Sequence, residues 1–310
     1  MWATVKFGVL AGAGLLLHAC VSNGSATTPL EFQDCDACPR MVEIPIGSFL
    51  MGAEGGEEGR PEGPVREVTI KRRFALAKTE TTVAEFREFV QATGYRPKRE
   101  CRTLISGNWV NSSEYDWTSP GATISYRDDS PIVCVSWRDA VAYTDWLGKI
   151  SGHEYRLPSE SEWEYAARGG SDGLYFWGND PDLGCHYANL YDQSAALTMT
   201  FSWAAAACSD GWATLAPVGV LAANPFGLHD ILGNVWEWTA DCYVAPYPAS
   251  ADPQQSVSRQ DTACERRSVR GGGWITRPDR HRLTFRGRDP EDVRMSYFGF
   301  RVARTLAPDP

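Results

Sequence analysis

The chain has 310 residues, with 30 Lys and Arg against 39 Asp and Glu and a formal charge of −9. At 43% hydrophobic and 22% charged it has the composition of a packed soluble domain, which excludes a disordered chain; with one unbroken apolar run, at the N-terminus, it is no polytopic membrane protein. The acidic balance argues against a nucleic-acid partner, while 12 Trp and 29 Gly point to a core of aromatic rings packed between loops.

The N-terminus reads as an address. Lys6 supplies a positive start, and Phe7–Leu17 is an apolar stretch too short to span a bilayer comfortably. It ends Leu17-His18-Ala19-Cys20, which resembles a bacterial lipobox. Residues 1–19 are therefore expected to be a lipoprotein signal peptide, Cys20 the lipidated residue, 20–39 a tether and 40–306 the folded domain. Ordinary signal-peptidase cleavage or a short anchor are the alternatives. Lipid on Cys20 makes the membrane surface a partner, and Val21 after it fits an outer-membrane protein of the cell envelope facing the periplasm.

Cysteine usage agrees with export. Setting Cys20 aside leaves Cys35, Cys38, Cys101, Cys134, Cys185, Cys208, Cys242 and Cys264, an even set that favours disulfides outside the cytosol. Moderate loops suggest Cys242–Cys264 and Cys185–Cys208. Cys35 and Cys38 form a CxxC, but Pro39 and a strand follow where a redox motif needs a helix, and no paired His completes a zinc site. A structural disulfide is expected there.

Met41–Gly52 contains Pro45 and Gly47 and reads as a strand at a sheet edge. Ala53–Pro64 is Glu-, Gly- and Pro-rich and is expected to be a mobile loop. Val65–Phe74 alternates as a strand. Thr82 and Glu85 make a capping box for a helix through about Thr93, closed by Gly94. Glu100–Asp129 shows no period and reads as an irregular insert. Ser136 caps a second helix with Ala140, Tyr143, Trp146 and Leu147 on one stripe and Gly152 past its end. Ser159 and Glu162 cap a third, short helix ending at Arg168. No repeat or composition break follows, so one irregular α+β domain with little regular secondary structure is expected.

Standard catalytic signatures are absent: no GxGxxG, Walker lysine, GxSxG or HExxH. Two segments could serve a hard cation. Asp230 and Glu237 could direct carboxylates at one centre, with the carbonyls of Gly233 and Val235; Asn189-Leu190 and Asp210-Gly211-Trp212 could meet across a loop. The bland alternative is that these Asp and Asn residues cap turns.

Six ordered strings resemble the formylglycine-generating enzymes, or sulfatase-modifying factors. They are Gly47–Gly52 (GSFLMG), Pro131–Trp137 (PIVCVSW), Arg156–Arg168 (RLPSESEWEYAAR), Gly227–Trp238 (GLHDILGNVWEW), Arg270–Trp274 (RGGGW) and Gly299–Arg301 (GFR). The resemblance implies a single-domain, C type lectin-like fold braced by calcium. One calcium site would use the side chains of Asn189 and Asp210 with the carbonyls of Leu190 and Trp212. The other would use Asp230 and Glu237 with the carbonyls of Gly233 and Val235.

Active members of that family oxidise a sulfatase cysteine with O₂ and a Cu(I) ion held by a cysteine pair, since thiolates are the soft ligands Cu(I) selects. Here Thr276 stands where the first of those cysteines is expected, and no cysteine follows Cys264. Copper is therefore not expected. Arg277, Asp279, Arg280 and His281, with Trp274 as an aromatic wall, are the candidates for an altered groove taking an anionic or polar ligand. Arg282, Arg286 and Arg288 are better read as salt-bridge formers. The favoured reading is an exported family member without formylglycine synthesis, acting on another substrate as the branch that matures pyoverdine does. A noncatalytic binding or assembly lipoprotein, with a protein, peptide or small-molecule ligand, is the alternative; an active formylglycine-generating oxidase is the third.

Overall fold

The computed structural model describes residues 1–2, 29–247 and 264–308. The expected signal peptide and the lipidated Cys20 lie outside these residues.

A five-stranded antiparallel sheet runs in the order Glu31–Phe32, Met41–Ile44, Phe74–Ala77, Ala303–Thr305, Tyr155–Arg156. Both ends of the described domain thus meet in one sheet, whose first strand falls within the segment read as a tether. A four-stranded sheet orders Gly287–Asp289, Arg267–Arg270, Trp236–Cys242 and Phe298–Gly299, the last pair parallel.

Three expectations change here. Pro45 has no N–H to give a ladder, so Met41–Gly52 is not one edge strand. It breaks into Met41–Ile44, inside the five-stranded sheet, and Gly47–Met51, which pairs with Arg66–Ile70. The Val65–Phe74 strand is shorter than expected, Arg66–Ile70, and Phe74 opens the next strand, Phe74–Ala77. The 100–129 insert contains a hairpin, Cys101–Ile105 with Asn108–Ser112, turning at Ser106-Gly107.

The three long helices follow their caps. α1 (Val83–Thr93), α2 (Trp137–Ser151) and α3 (Glu160–Arg168) each begin with a complete capping box, at Thr82, Ser136 and Ser159, and each ends on a left-handed glycine. α1 and α2 bury Phe86, Phe89, Tyr143 and Trp146 against Phe300, ring against ring at 5.3 to 6.4 Å. Every residue of α3 is buried. Its carboxylates survive there because arginines meet them: Glu162 with Arg156, Glu164 with Arg168 and Arg270, and Glu160 with Arg270 and Arg286.

Four disulfides join Cys35–Cys38, Cys101–Cys134, Cys185–Cys208 and Cys242–Cys264. The two moderate-loop pairs and the structural CxxC read from the sequence are all present.

Candidate functional site

The Asp230–Glu237 turn runs into the strand Trp236–Cys242, and its carboxylates are buried. Asp230 adopts φ +53°; its Oδ2 accepts the Gly219 N–H at 2.6 Å, while its buried Oδ1 has no partner among the described residues. Glu237 accepts from Arg301 Nε and Nη2 at 2.7 to 2.9 Å and from the indole N–H of Trp163 at 2.7 Å. The sequence reading missed a third carboxylate, Glu80, which accepts from the Asn234 side chain at 2.8 Å and from Val235 N–H at 3.1 Å. Only a lone Glu before the Thr82 capping box marks it in the sequence.

Burial, then the charges of Asp230 and Glu237, raises Glu80 well above the usual carboxylate range. Burial likewise pushes Asp230 up to about 6, although Arg301 pulls the other way. Three buried carboxylates thus face one guanidinium, and a divalent cation would cancel the excess.

The second set is linked to the first through Gly233. Its φ is +84°, and a Cβ there would come within 2.4 Å of the Asn189 carbonyl oxygen, so only glycine lets the two loops touch. The Asn189 amide donates to Thr214 O at 2.8 Å and to Asn234 Oδ1 at 3.2 Å; its own buried Oδ1 is unpartnered among the described residues. Asp210 accepts the N–H groups of Leu190 at 2.8 Å and Trp212 at 2.7 Å. Burial pushes Asp210 up to about 7 against those two donors, and the charge of Asp192 adds to the rise. Asp192, not foreseen, offers a carboxylate oxygen within 4.8 Å of Asp210. Cys185 lies equally near but is in a disulfide, so it supplies no thiolate. Each set is oxygen-based and holds one orphaned buried oxygen, as a hard cation such as calcium prefers, but among the described residues ligand atoms of three groups converge within 4.8 Å only at Asp192, Asp210 and Cys185, while both Glu237 oxygens are held by Arg301 and Trp163.

A cavity of about 190 Å³ opens beside Thr276. The Thr276 hydroxyl oxygen accepts from Trp236 Nε1 at 2.8 Å and Gly273 N–H at 2.9 Å. Both lone pairs are then used, which leaves the hydroxyl proton as the group it can offer the cavity. Arg277 and Arg280 line the space, as expected, but each has a carboxylate partner: Asp279 for Arg277 at 2.6 Å, and Glu57 for Arg280 at 2.6 Å.

Two groove expectations are corrected. Trp274 is 1% exposed and packs beside Val133, the Cys101–Cys134 disulfide and Leu215; Trp236 forms the cavity wall instead. His281 is also buried, its ring nitrogens 3.2 Å from Gly273 O and 3.3 Å from Pro278 O. Burial pulls it down to about 4, so the ring is neutral at pH 7 and props the turn beneath it. Gly272 lies against that ring, where a Cβ would come within 2.4 Å of Cδ2. Asp279 pairs with Arg277 outside the cavity lining. The remaining arginines are structural, as read: Arg282 bonds Glu62, Arg286 bonds Glu160, and Arg288 bonds Gly59 O and the Tyr243 hydroxyl. The Arg282–Glu62 pair fastens down the loop read as mobile. Arg60, Trp109, Trp203, Asp289 and Tyr297 also line the cavity and were missed. They converge from the Glu-rich loop, the insert, the irregular stretch around Trp203 and the C-terminal segments, a meeting no local pattern announces.

Against known proteins, the model of the sulfatase-modifying factor enzyme 1-like domain matches residues 27–306. A formylglycine-generating enzyme of Thermomonospora curvata is 33% identical over 85% of this chain and 92% of its own length. The inactive C-alpha-formylglycine-generating enzyme 2 of Bos taurus is 34% identical over 85% of this chain and 87% of its own. The structure of PvdO from Pseudomonas aeruginosa superposes with a TM-score of 0.73 at 32% identity, covering 90% of this chain and 99% of that one.

Proposed function

The chain belongs to the sulfatase-modifying factor enzyme 1-like family, and from that premise we propose that it is an exported member that acts on a small substrate in the Thr276 cavity without a Cu(I)–thiolate centre. The observation that carries this is the state of sulfur. All eight cysteines from Cys35 to Cys264 are joined in disulfides, and Thr276 occupies the expected ligand position with a hydroxyl already bonded to Trp236 and Gly273. A disulfide sulfur is no substitute for a thiolate.

Export is supported by the N-terminal pattern and by the disulfides, which persist in oxidising compartments. Lipidation at Cys20 would hold the domain at the outer membrane, facing the periplasm. Asp230, Glu237, Gly233 and Val235 would hold one calcium ion, with Glu80 adding charge, and Asn189, Leu190, Asp210 and Trp212 another. Bound calcium would neutralise buried carboxylates and brace the loops. This chain's own residues do the rest: Trp236 and Gly273 fix the Thr276 hydroxyl, while Arg280, held by Glu57, borders the mouth.

The test is direct. Copper-loaded protein incubated with a cysteine-containing sulfatase-motif peptide and O₂ should give no formylglycine product by mass spectrometry; catalytic conversion would end this reading. A noncatalytic binding role is the second reading, favoured by the 34% identical relative named as inactive; a ligand recovered unchanged after binding would select it.

A further inference from the structure

Resting on that cavity as the working site, we infer that it takes a single-ring aromatic acid: the ring lies among the indoles and phenyls of the walls, the anion meets Arg60, and a ring hydroxyl donates to Asp289.

Size and lining set the first half. About 190 Å³ is below the range of drug-sized pockets, so one ring with short substituents fills it. Trp109 and Tyr297 meet edge to face at 5.1 Å, and Trp236 packs on Phe285 at 5.7 Å. These are rigid π surfaces that a flat ring matches better than an aliphatic chain does.

Charge sets the second half. Among the described residues Arg60 makes no ion pair or hydrogen bond through its side chain, although it is half-buried and lies 6.0 Å from the Phe285 centroid. Burial is the largest cost to its charge; its neighbours Arg288 and Arg280 add to that by repulsion, and Asp289 offsets only part of it. Asp289, also in the lining, has no hydrogen bond or ion pair among the described residues; burial weighs on it most, and Arg60, Arg266, Arg102 and Arg288 act on it from a distance. Of these four guanidiniums only Arg60 lines the cavity, where Arg277 and Arg280 join it. Three lining cations against one lining carboxylate, with further arginines near Asp289, leave the cavity electropositive, which favours an anion over an ammonium. The unengaged Asp289 oxygens then favour a ligand that also donates a hydrogen bond.

The test uses isothermal titration of the purified protein at pH 7.5 with 4-hydroxyphenylacetate, phenylacetate and tyramine. The hydroxy acid should bind saturably, phenylacetate about tenfold more weakly, and tyramine should not compete. Arg60→Met should weaken both acids about tenfold, and Asp289→Asn should reduce 4-hydroxyphenylacetate to the level of phenylacetate. Near-ultraviolet circular dichroism checks that the variants fold; if either does not, the three ligands on the parent protein still decide. Tyramine binding as well as the acids, or acid affinity unmoved in a folded Arg60→Met protein, overturns the assignment. Saturable binding of a different ligand class, abolished by Thr276→Trp, would overturn the aromatic acid while leaving the cavity reading standing. Failure of every ligand to bind at this cavity would remove both.

Discussion

Glu160 is a carboxylate at 3% exposure that holds two guanidiniums, Arg286 at 2.7 Å and Arg270 at 3.3 Å. Burial alone would raise it, but Arg286 and then Arg270 outweigh that and hold it at about 2. Its folded value lies below the ordinary 4.5, so its stabilisation is complete above that pH and disappears as pH falls toward about 2. Glu160→Gln should cost about 3–5 kcal/mol at pH 7, because Arg286 is left buried without its anion and Arg270 keeps only Glu164. The same substitution should flatten the acid limb of a urea-unfolding series between pH 5 and pH 2; a limb as steep as the parent's would refute this role. Asp230 makes the opposite case, an anion with an oxygen left over. Asp230→Ala should lower the melting temperature of calcium-loaded protein, and chelator should then lower it less than in the parent. Equal chelator effects in both proteins would exclude Asp230 as a ligand. Glu237→Ala is the poorer probe, since it also strands Arg301. Asp230, Glu237, Asn189 and Asp210 could be read from residue type and order, but Glu80 and Asp192 could not. Glu80 acts across 154 residues, a separation the chain does not encode locally, whereas Asp192 follows Leu190 by two residues and caps the short helix Gln193–Ala196.

Capping boxes carried most of what could be read of the elements. In each helix a hydroxyl and an acid three residues later satisfy each other's backbone N–H groups, a code written in four consecutive residues. Ser136→Ala should therefore cost about 1–2 kcal/mol in urea unfolding, since Ser136 Oγ accepts the Asp139 N–H and also meets Arg294 at 3.1 Å. Unchanged stability would mean the cap is not used in solution. Strands were read less well. Met41–Ile44 and Phe74–Ala77 are buried on nearly every residue and show no clean alternation, because their two faces feed two cores: Met41, Ala75 and Ala77 join the residues of α1 and α2, while Val42, Ile44, Phe74 and Leu76 join those of α3. The 101–112 hairpin was missed because Asn, Ser and Arg interrupt its apolar pattern, yet it brings Trp109 to the cavity.

On the scale of the whole molecule, short strands and three long helices leave much of the described chain to loops and single turns, and polar pairs hold those loops in place. Arg282 ties the Glu-rich segment down, Arg301 reaches from the C-terminus to Glu237, and Gly233 lets the two carboxylate sets touch. The fold was legible because the ordered strings mark positions where these ties need one residue type, such as the three glycines after Arg270 that pass close to Trp163, His281 and Trp236. The cavity was legible only at Thr276, Arg277 and Arg280, which share one segment; its other walls are fixed by packing. On the proposed reading, what would separate this chain from a copper oxidase is that all eight cysteines from Cys35 to Cys264 are paired in disulfides, which leaves no thiolate among the described residues. Alkylating the unreduced, denatured protein with iodoacetamide, then reading the residues 29–310 by mass spectrometry, measures that most directly. The account predicts no alkylated cysteine before reduction and alkylation at all eight after it; a pair of cysteines that react without reductant would contradict it.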